Sequence, residues 1–501
     1  MRTTLFAAGL LSLGVLYSCT PSTPSQKSTD FIILQLNDVY EITPLEGGKV
    51  GGLARVASLK HELEAEAPVI TILAGDFLSP SLTGTLRYQG EKIAGKQMVE
   101  TLNALGLDYV TFGNHEFDLK EPQLLARIDE SEFTWISTNT FHVTDGDTLP
   151  FTQKGKSLPR SVVHSIPRES DTLQLALIGI CLPFNDKPFV SYEGYNSTVQ
   201  TELGKLAGTY DLAVAITHLN WAEDTAFARQ NPTFPLILGG HDHNHMRIPV
   251  GDAAVTKADA NAKTVYVHRV RQLADGTTSV RSELVAITDG LADDPAVLAV
   301  VNKWQDISNT AMQEMGYDPS EVLMTTDTVL DGRESIIRNE PAYLGTLTCE
   351  AMLLGDDSTD LAIFNSGSIR LDDQLVGTVT MYDVLRTYPY GGPITRTSIP
   401  GADLEEILRI GLQNNRGIGG YLQTVRVDSA DGQYLINGQP IEPTKLYSLW
   451  MTDFMSEGNE SGFGMLSQYI YTTPDRVAEG NARNDLRDAV AAYMKYLEAQ
   501  K

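Results

Sequence analysis

Short apolar runs alternate with helical patterns along the first half of this 501-residue chain. Four apolar runs, bounded by glycine or polar residues, predict buried strands, and they cover residues 31–34, 69–73, 212–216 and 236–238. Between the first two runs, residues 52–64 carry apolar side chains at helical spacing. This order of elements, up to about residue 240, is typical of an α/β fold whose strands present loops at one rim of a sheet.

The pattern changes after residue 290. Strand-like segments at residues 264–270 and 277–287 close the first half. Asp294 and the proline that follows it then open a helical run to about Met315, because proline suits the first turn of a helix. A second α/β segment begins near residue 321 and continues to the end of the chain.

A chain of this length exceeds what a single hydrophobic core usually serves, so at least two domains are expected. The predicted parts are a signal peptide at 1–18, a tether at 19–29, a first α/β domain at 30–290, a connecting helix at 291–318 and a second α/β domain at 319–501.

The chain begins with the features of an export signal. Arg2 precedes an uncharged stretch that is too short to span a bilayer. Residues 16–19 resemble a bacterial lipobox, which would make Cys19 the lipidated first residue of the mature protein; the alternative is an ordinary signal peptide with an incidental cysteine. We therefore expect a bacterial cell-envelope lipoprotein anchored to a membrane through Cys19, facing the periplasm from the outer membrane or exposed at the cell surface.

Charge and cysteine content narrow the function. The formal net charge is −26, which argues against a nucleic-acid partner or an anionic membrane surface as the working face. An anionic substrate would need bound cations and a few placed arginines. Cys181 and Cys349 lie far apart in the sequence, so neither a disulfide framework nor a cysteine-based zinc site is expected.

Five short polar segments follow or adjoin the predicted strands and carry the candidate chemistry. Carboxylate, amide and imidazole side chains suit Zn, Mn, Fe or Co, and two such ions roughly 3.5–4 Å apart can clamp a phosphoryl group. Each segment alone is weak evidence, and their conjunction in this order is the signal. Asp76 stands in the middle of the set and is the natural bridging carboxylate. The segments are residues 37–40, 75–76, 113–116, 217–218 and 240–243.

These segments resemble the signature of calcineurin-like metallophosphoesterases, and longer matches resemble the 5′-nucleotidase family. The likeness extends over nearly the whole mature chain. The longer matches are residues 95–100, 103–106, 112–118, 364–370, 388–392 and 419–423.

The resemblance implies an α/β fold class with a four-layer αββα metallophosphatase domain, a linker helix and a second α/β substrate-binding domain. It also implies two divalent metal ions. The first ion would be held by Asp38, Asp76 and His243, and the second by Asp76, Asn114, His218 and His241.

Roles in catalysis and substrate binding follow from the same resemblance. His115 would stabilise charge on the transferring phosphoryl group, with Asp118 orienting its ring. The residues matched to substrate contacts are Asn365 and Arg370 on a glycine-rich loop, Tyr390 and Phe454 as aromatic rings that stack on a nucleobase, and Glu460 at the sugar. Core packing is the alternative for the two aromatic rings.

Three departures from the family pattern stand out. Tyr40 occupies the position of a histidine ligand of the first ion, Glu460 replaces an aspartate, and Tyr343 aligns with a further substrate arginine. His245 continues the alternation of His241 and His243 and could reach the first ion instead. Four other histidines are assigned surface or core roles: His61, His142, His164 and His268.

The function implied by the resemblance is a 5′-nucleotidase that releases phosphate from nucleoside monophosphates. Two alternatives stay open. The same two-ion site could hydrolyse a 2′,3′-cyclic phosphate or a nucleotide sugar, and a descendant with an impaired first site could serve as a non-catalytic nucleotide-binding scaffold.

Overall fold

The computed structural model describes residues 29–168, 171–183, 187–273, 276–473 and 484–501. The predicted signal peptide and all but the last residue of the tether, including Cys19, lie outside the described residues. Within the described ranges, no helix combines the length and the apolar character that crossing a bilayer requires.

Two six-stranded mixed sheets make up the first half of the chain. In spatial order the first sheet contains Thr278–Ala286, Thr264–Gln272, Phe31–Leu36, Val69–Leu73, Tyr109–Val110 and Thr134–Trp135. The second contains Ser161–Pro167, Thr172–Cys181, Leu212–His218, Leu236–Gly239, Ala253–Lys257 and Met246–Val250. Each sheet has four consecutive parallel strands with antiparallel strands beyond them.

The two sheets pack face to face. Because successive side chains of a strand point to opposite faces, Phe31 and Ile33 join an inter-sheet core with Leu177, whereas Ile32 and Leu34 join the core beneath the helices. Helices cover the outer faces of both sheets. The expected four-layer αββα arrangement is confirmed.

Seven helices accompany these sheets in the described part of the chain. They are Leu53–Glu64, Leu82–Thr85, Lys96–Leu105, Glu121–Glu130, Tyr195–Lys205, Trp221–Gln230 and Pro295–Glu314, with a 3₁₀ turn at His115–Asp118. The short strands in this half are Arg87–Tyr88, Glu91–Lys92, Thr140–Thr144, Asp147–Leu149, Thr152–Gln153, Lys156–Ser157 and Val190–Tyr192.

The predicted connecting helix is present as Pro295–Glu314. The Asp294 side chain caps it by accepting hydrogen bonds from the backbone N–H groups of residues 296 and 297. Its buried side chains, among them Trp304, pack it against Leu53–Glu64 and Lys96–Leu105, so the helix is docked on the first helical layer. The exact domain boundaries stay a prediction.

The second half is built on a four-stranded sheet. Its strands, in spatial order, are Ile394–Pro400, Leu446–Thr452, Leu361–Asn365 and Leu422–Val425, and a separate ribbon pairs Val322–Asp331 with Gln374–Thr380. Small strands occur at Val427–Ala430, Gln433–Ile436 and Gln439–Pro440. The helices are Glu334–Ile337, Tyr343–Leu353, Met381–Thr387, Gly401–Arg409, Asp453–Ser456 and Leu486–Ala499, with 3₁₀ turns at Ser366–Ser368 and Gly464–Gln468 and a π-helical turn at Ile410–Asn414.

Helices pack on both faces of this second sheet. Leu404 and Leu408 of one helix share a core with Ile363, whereas Phe364, the next residue of the strand, faces the other way and shares a core with Leu347. The predicted second α/β part is confirmed.

A buried lysine secures the strand ends of the second sheet. Lys257 is fully buried, and its Nζ lies 2.8 Å from Asp224 Oδ2 and 2.7 Å from Asp242 Oδ2. The same Nζ donates to the carbonyl groups of Leu219 and Gly240, at 2.6 Å each. This one side chain therefore holds the two loops that follow strands Leu212–His218 and Leu236–Gly239.

We expect Lys257→Met to lower the free energy of unfolding by about 3–5 kcal/mol, because it leaves the buried Asp224 carboxylate without its cation. Chemical denaturation monitored by circular dichroism measures the change. Lys49→Met, at an exposed position, is the control and should shift the free energy by less than about 0.5 kcal/mol. Equal effects of the two substitutions would contradict this role.

Candidate metal centre and substrate cleft

Asp38, Asp76 and His218 form a buried cluster whose ligand atoms all lie within 4.8 Å of one another. His218 Nε2 is 3.1 Å from Asp76 Oδ2 and 3.9 Å from Asp38 Oδ1. Both aspartates follow strands of the first sheet, whereas His218 ends a strand of the second. The expectation of a single sheet rim is therefore wrong: the site is assembled from the adjoining rims of two stacked sheets.

The His218 ring is oriented as a metal ligand requires. Its Nδ1 donates to the carbonyl oxygen of Ala74 at 2.7 Å, which turns Nε2 toward the two carboxylates. Within the described part of the chain, Nε2 is a buried atom without a hydrogen-bond partner. An imidazole nitrogen left in this state beside two carboxylates fits a divalent ion.

His243 approaches the cluster from the loop after strand Leu236–Gly239. Its Nδ1 donates to Asp372 Oδ2 at 2.8 Å, and its Nε2 lies 3.6 Å from Asp38 Oδ1. The ring therefore presents Nε2 to the predicted first ion.

Two further predicted ligands complete the set. His241 lies against His218, with 5.4 Å between the ring centroids, and its Nδ1 is 3.0 Å from Asn114 Oδ1. The structure thus brings together all six residues predicted as metal ligands. Their assignment to one ion or the other stays a prediction.

The charges in the cluster balance one another. Burial would lower the pKa of His218, but Asp76 and Asp38 raise it to about 9. Burial also opposes ionisation of Asp76, yet His218 and His115 hold its pKa well below the usual value. Carboxylates and imidazoles thus stabilise each other's charged forms, and a His218 ring that binds a metal ion through Nε2 would have to give up its proton there.

Strained backbone accompanies the ligands. Asp38, Asp76 and His241 have φ angles of 51°, 56° and 75°, in the left-handed region that non-glycine residues rarely adopt. A Cβ atom on Gly113 would lie 2.1 Å from Asp76 Oδ1, so only glycine allows this approach. Such outliers persist where the surrounding structure enforces them, typically at functional sites.

Glu116 enforces part of this geometry, a role that the sequence did not reveal. Its buried carboxylate accepts backbone hydrogen bonds from Gly113, Asp76, Phe77 and Leu78 at 2.7–3.1 Å. Burial and the charge of Asp76 raise the pKa of Glu116 to about 7, although the backbone donors oppose the shift. Glu116 therefore ties the Asp76 loop to the Asn114 loop.

Tyr40 faces the position predicted for the first ion. Its hydroxyl donates to Asp76 Oδ2 at 3.1 Å and lies 3.3 Å from His243 Nε2. Burial, together with Asp76 and Asp38, raises the pKa of this hydroxyl well above its usual value. Tyr40, which stands where the family pattern has a histidine, therefore contacts the proposed metal ligands directly.

His115 lies at the border of the cluster. Its backbone N–H donates to Asp76 Oδ1 at 2.8 Å, and its Nδ1 donates to Asp118 Oδ2 at 2.6 Å. Asp118 therefore fixes the His115 ring, as expected. The other ring nitrogen, Nε2, lies on the edge of the ring opposite to Asp118.

Arg370 brings the second half of the chain to this border. Its Nη1 lies 4.0 Å from Glu334 Oε1. Burial would lower its pKa, but Tyr390, Glu334 and Asp118 raise it above the usual value. The other oxygen of the same carboxylate, Glu334 Oε2, lies 3.7 Å from His243 Nδ1, so one acidic side chain separates Arg370 from a proposed metal ligand.

The remaining predicted substrate residues fall into two pairs, each joined by a hydrogen bond between its residues or their neighbouring segments. Asn365 Nδ2 donates to Glu460 Oε2 at 2.7 Å. Tyr390 and Phe454 are 53% and 42% exposed, so neither ring is packed into a core. Asp453, next to Phe454, donates its backbone N–H to the carbonyl of Pro393 at 3.0 Å, which joins the two segments that carry the rings.

Arg338 shares the Glu334 carboxylate with Arg370. Tyr343, which the sequence aligned with a substrate arginine, is exposed at the start of helix Tyr343–Leu353. Arg338 instead hydrogen-bonds to Glu334 Oε1, the atom that also faces Arg370, and its Nε is buried without a partner among the described residues. Arg338 is therefore the second arginine of this cluster.

The other histidines lie away from the ion positions. His245 donates its Nδ1 to Asp259 at 2.8 Å and is 55% exposed, so it does not replace the missing first-site histidine. The remaining four have local partners, as expected: His61 with Glu64, His142 with Glu121, His164 with Tyr109 and His268 with Gln35.

Two stacked sheets with buried carboxylate and imidazole ligands at their strand ends define a metal-dependent phosphoesterase. Residues 31–245 match the family model of calcineurin-like phosphoesterases, and residues 322–468 match that of the 5′-nucleotidase C-terminal domain. The chain belongs to the 5′-nucleotidase family of calcineurin-like phosphoesterases, and it is a hydrolase acting on phosphoric esters.

Relatives extend over most of the chain. A 5′-nucleotidase of Bos taurus is 24% identical over 456 residues, which cover 80% of this chain and 74% of the relative. A snake venom 5′-nucleotidase of Gloydius brevicauda is 23% identical over 522 residues, covering 91% and 86%.

Solved structures share the fold. A 5′-nucleotidase precursor from Thermus thermophilus superimposes with a TM-score of 0.74 at 20% identity, covering 93% of this chain and 96% of that one. The sulfate thiohydrolase SoxB from the same genus superimposes with a TM-score of 0.69 at 15% identity, covering 94% of each chain. At these identities the likeness concerns the fold alone.

We expect Tyr40→His to tighten binding of Zn²⁺ or Mn²⁺ at the first site, because a neutral imidazole binds these ions better than a phenol that must lose its proton. The gain should exceed the roughly 10–100-fold typical of a change in an outer-shell partner. Tyr40→Phe should weaken binding, since it removes the hydroxyl that reaches Asp76 and His243. Metal titration of stripped protein, with bound-metal stoichiometry, measures both; three superimposable curves would show that Tyr40 does not contact the ion.

Proposed function

We propose that this protein is a two-metal-ion 5′-nucleotidase that releases phosphate from nucleoside monophosphates. The observation that carries the proposal is the juxtaposition of two sets of residues. Six side chains proposed as metal ligands converge at the rims of the first two sheets, and Glu334 from the second half lies 3.7 Å from one of them, His243, and 4.0 Å from Arg370.

The proposed ligands divide between two ions. Asp38, Asp76 and His243 would hold the first, with Tyr40 beside them. Asp76, Asn114, His218 and His241 would hold the second. Divalent ions such as Zn, Mn, Fe or Co supply Lewis-acid charge that offsets the negative charge of the phosphoryl oxygens.

Protein groups orient the substrate. Arg370 and Arg338 would bind phosphate oxygens through their planar guanidinium groups. His115, held by Asp118, would donate from Nε2 to a phosphoryl oxygen as charge develops there.

The nucleoside would extend toward the second half of the chain. Asn365 and Glu460 provide a hydrogen-bonding pair for the sugar hydroxyls. The exposed rings of Tyr390 and Phe454 provide apolar faces for the base, and each stacked base contributes roughly 1–3 kcal/mol. The names of the bovine and snake venom relatives agree with a nucleotide substrate.

A second candidate activity is hydrolysis of 2′,3′-cyclic nucleotides or nucleotide sugars. A trifunctional nucleotide phosphoesterase of Bacillus subtilis is 23% identical over 84% of this chain and 30% of its own length. A substrate panel of AMP, 2′,3′-cyclic AMP and UDP-glucose separates these activities. The non-catalytic scaffold has less support, because His115 and all six ligands lie together.

We expect Asp76→Asn to abolish phosphoester hydrolysis with loss of bound metal, because the carboxylate is proposed to contact both ions. His115→Asn should lower kcat by about 10²–10³-fold with metal content intact, since this side chain acts on the phosphoryl group. Turnover of AMP and elemental analysis of the same samples measure both effects. Equal metal loss in the two variants would place His115 among the ligands instead.

We expect Arg370→Ala and Phe454→Ala each to raise KM for AMP on the order of tenfold or more. Phe454→Ala should change KM for p-nitrophenyl phosphate far less, because that substrate has no base to contact this ring. Leu446→Ala is the control, because Leu446 is 62% exposed at the far end of the strand that leads to Phe454. If Phe454→Ala affects both substrates equally, the base does not stack on this ring.

A further inference from the structure

His243, a proposed ligand of the first ion, is hydrogen-bonded to a residue from the opposite half of the chain. Asp372 lies within the region that matches the 5′-nucleotidase C-terminal domain, two residues after Arg370. Its carboxylate accepts the hydrogen bond from His243 Nδ1 at 2.8 Å, although His243 belongs to the metallophosphoesterase part. The contact joins residues 129 positions apart in the sequence.

Asp372 is itself held in place from both sides. Its Oδ1 accepts the backbone N–H of Glu334 at 3.2 Å, and its carbonyl oxygen accepts from Lys263 Nζ at 2.6 Å. Its φ angle of 42° lies in the left-handed region. The carboxylate is therefore presented to His243 by a fixed loop.

Two of the three imidazoles proposed as ligands differ in what orients them. His218, assigned to the second ion, donates to the carbonyl of Ala74 within its own half of the chain. His243, assigned to the first ion, depends on Asp372 from the other half. His241, also assigned to the second ion, contacts Asn114 within the first half. Among the contacts of the described residues, His243 is therefore the one imidazole ligand oriented by the substrate-binding part.

Glu334 strengthens this connection. Its Oε2 lies 3.7 Å from His243 Nδ1, and its Oε1 faces both Arg370, at 4.0 Å, and Arg338. One carboxylate is thus shared between a proposed metal ligand and the two arginines proposed to bind phosphate. Occupation of the arginines by an anion must change the electrostatic environment of His243.

We propose that Asp372 is a positioning residue that orients His243 and couples the first metal site to nucleotide binding. This inference rests on the proposed function for the identity of the ligand. A nucleotide bound at the Arg370 loop should raise the affinity for the first ion. By linkage, the first ion should raise the affinity for the nucleotide by the same factor.

The test is Asp372→Asn, which keeps the shape of the side chain and removes its charge. Mn²⁺ is titrated into metal-free protein by calorimetry, with and without the non-hydrolysable phosphonate analogue of AMP. We expect about 10–100-fold weaker binding of one Mn²⁺, the range typical for loss of an outer-shell carboxylate, with the other Mn²⁺ unchanged. We also expect the analogue to tighten binding of this same Mn²⁺ in the wild type, and to tighten it less in the variant.

Two controls accompany the titration. Asp357→Asn removes the same charge at an exposed position of the same half and should leave both ions unchanged. Asp372→Glu restores the negative charge and should recover part of the lost affinity. Circular dichroism confirms that each variant is folded.

Three results would overturn the proposal: unchanged Mn²⁺ affinity in Asp372→Asn, equal weakening of both ions, or an analogue effect of the same size in variant and wild type. Failure of the proposed function is distinguishable from these. A wild type that does not hydrolyse AMP but shows the one-ion loss in Asp372→Asn keeps the positioning role and rejects only the nucleotide substrate.

Discussion

Two carboxylates buried side by side are the constraint on which the rest of this structure depends. Asp38 and Asp76 are almost completely inaccessible, and burial of unpaired charge is strongly unfavourable. Imidazole rings from the second sheet provide the compensating charge, with His218 Nε2 at 3.1 Å from Asp76. The stacking of two sheets therefore serves this site directly, since neither sheet alone carries both kinds of ligand.

The surrounding interactions follow from that requirement. Glu116 holds two ligand loops of the first sheet by accepting four backbone hydrogen bonds. Lys257 holds two ligand loops of the second sheet from beneath. Both are fully buried charged groups with many partners, and both act on backbone segments that carry ligands. Rigid support of this kind leaves little freedom for a ligand to rotate away.

The sequence predicts the strands and the ligand loops well, for a physical reason. Buried parallel strands need continuous apolar runs, and the polar residues that follow them are conspicuous. The same runs do not show which strands are neighbours, so the division of the ligands between two sheets is visible only in the structure. The prediction of the four-layer architecture and of the individual ligands came from the resemblance to a family.

Contacts between segments that are distant in the sequence could not be predicted from it. Asp372 and Glu334 belong to no metal-ligand motif, and their importance arises only because folding places them against His243. Arg338 was missed because alignment pointed to Tyr343, whereas shared contact with Glu334 places Arg338 next to Arg370. Glu116 was visible as part of a motif, but its four partners are backbone groups, which leave no trace in side-chain patterns.

The overall charge of the chain gives these local contacts their importance. A protein with a net charge of −26 repels an anionic substrate at long range, and screening confines that repulsion to about 8 Å at physiological ionic strength. Attraction must therefore come from groups inside the cleft. Arg370 and Arg338 both face Glu334, which partly neutralises them and also approaches His243. A phosphate that displaces Glu334 from these arginines would free the Glu334 carboxylate to interact with His243. Substrate binding and metal retention would then reinforce each other through this one acidic side chain.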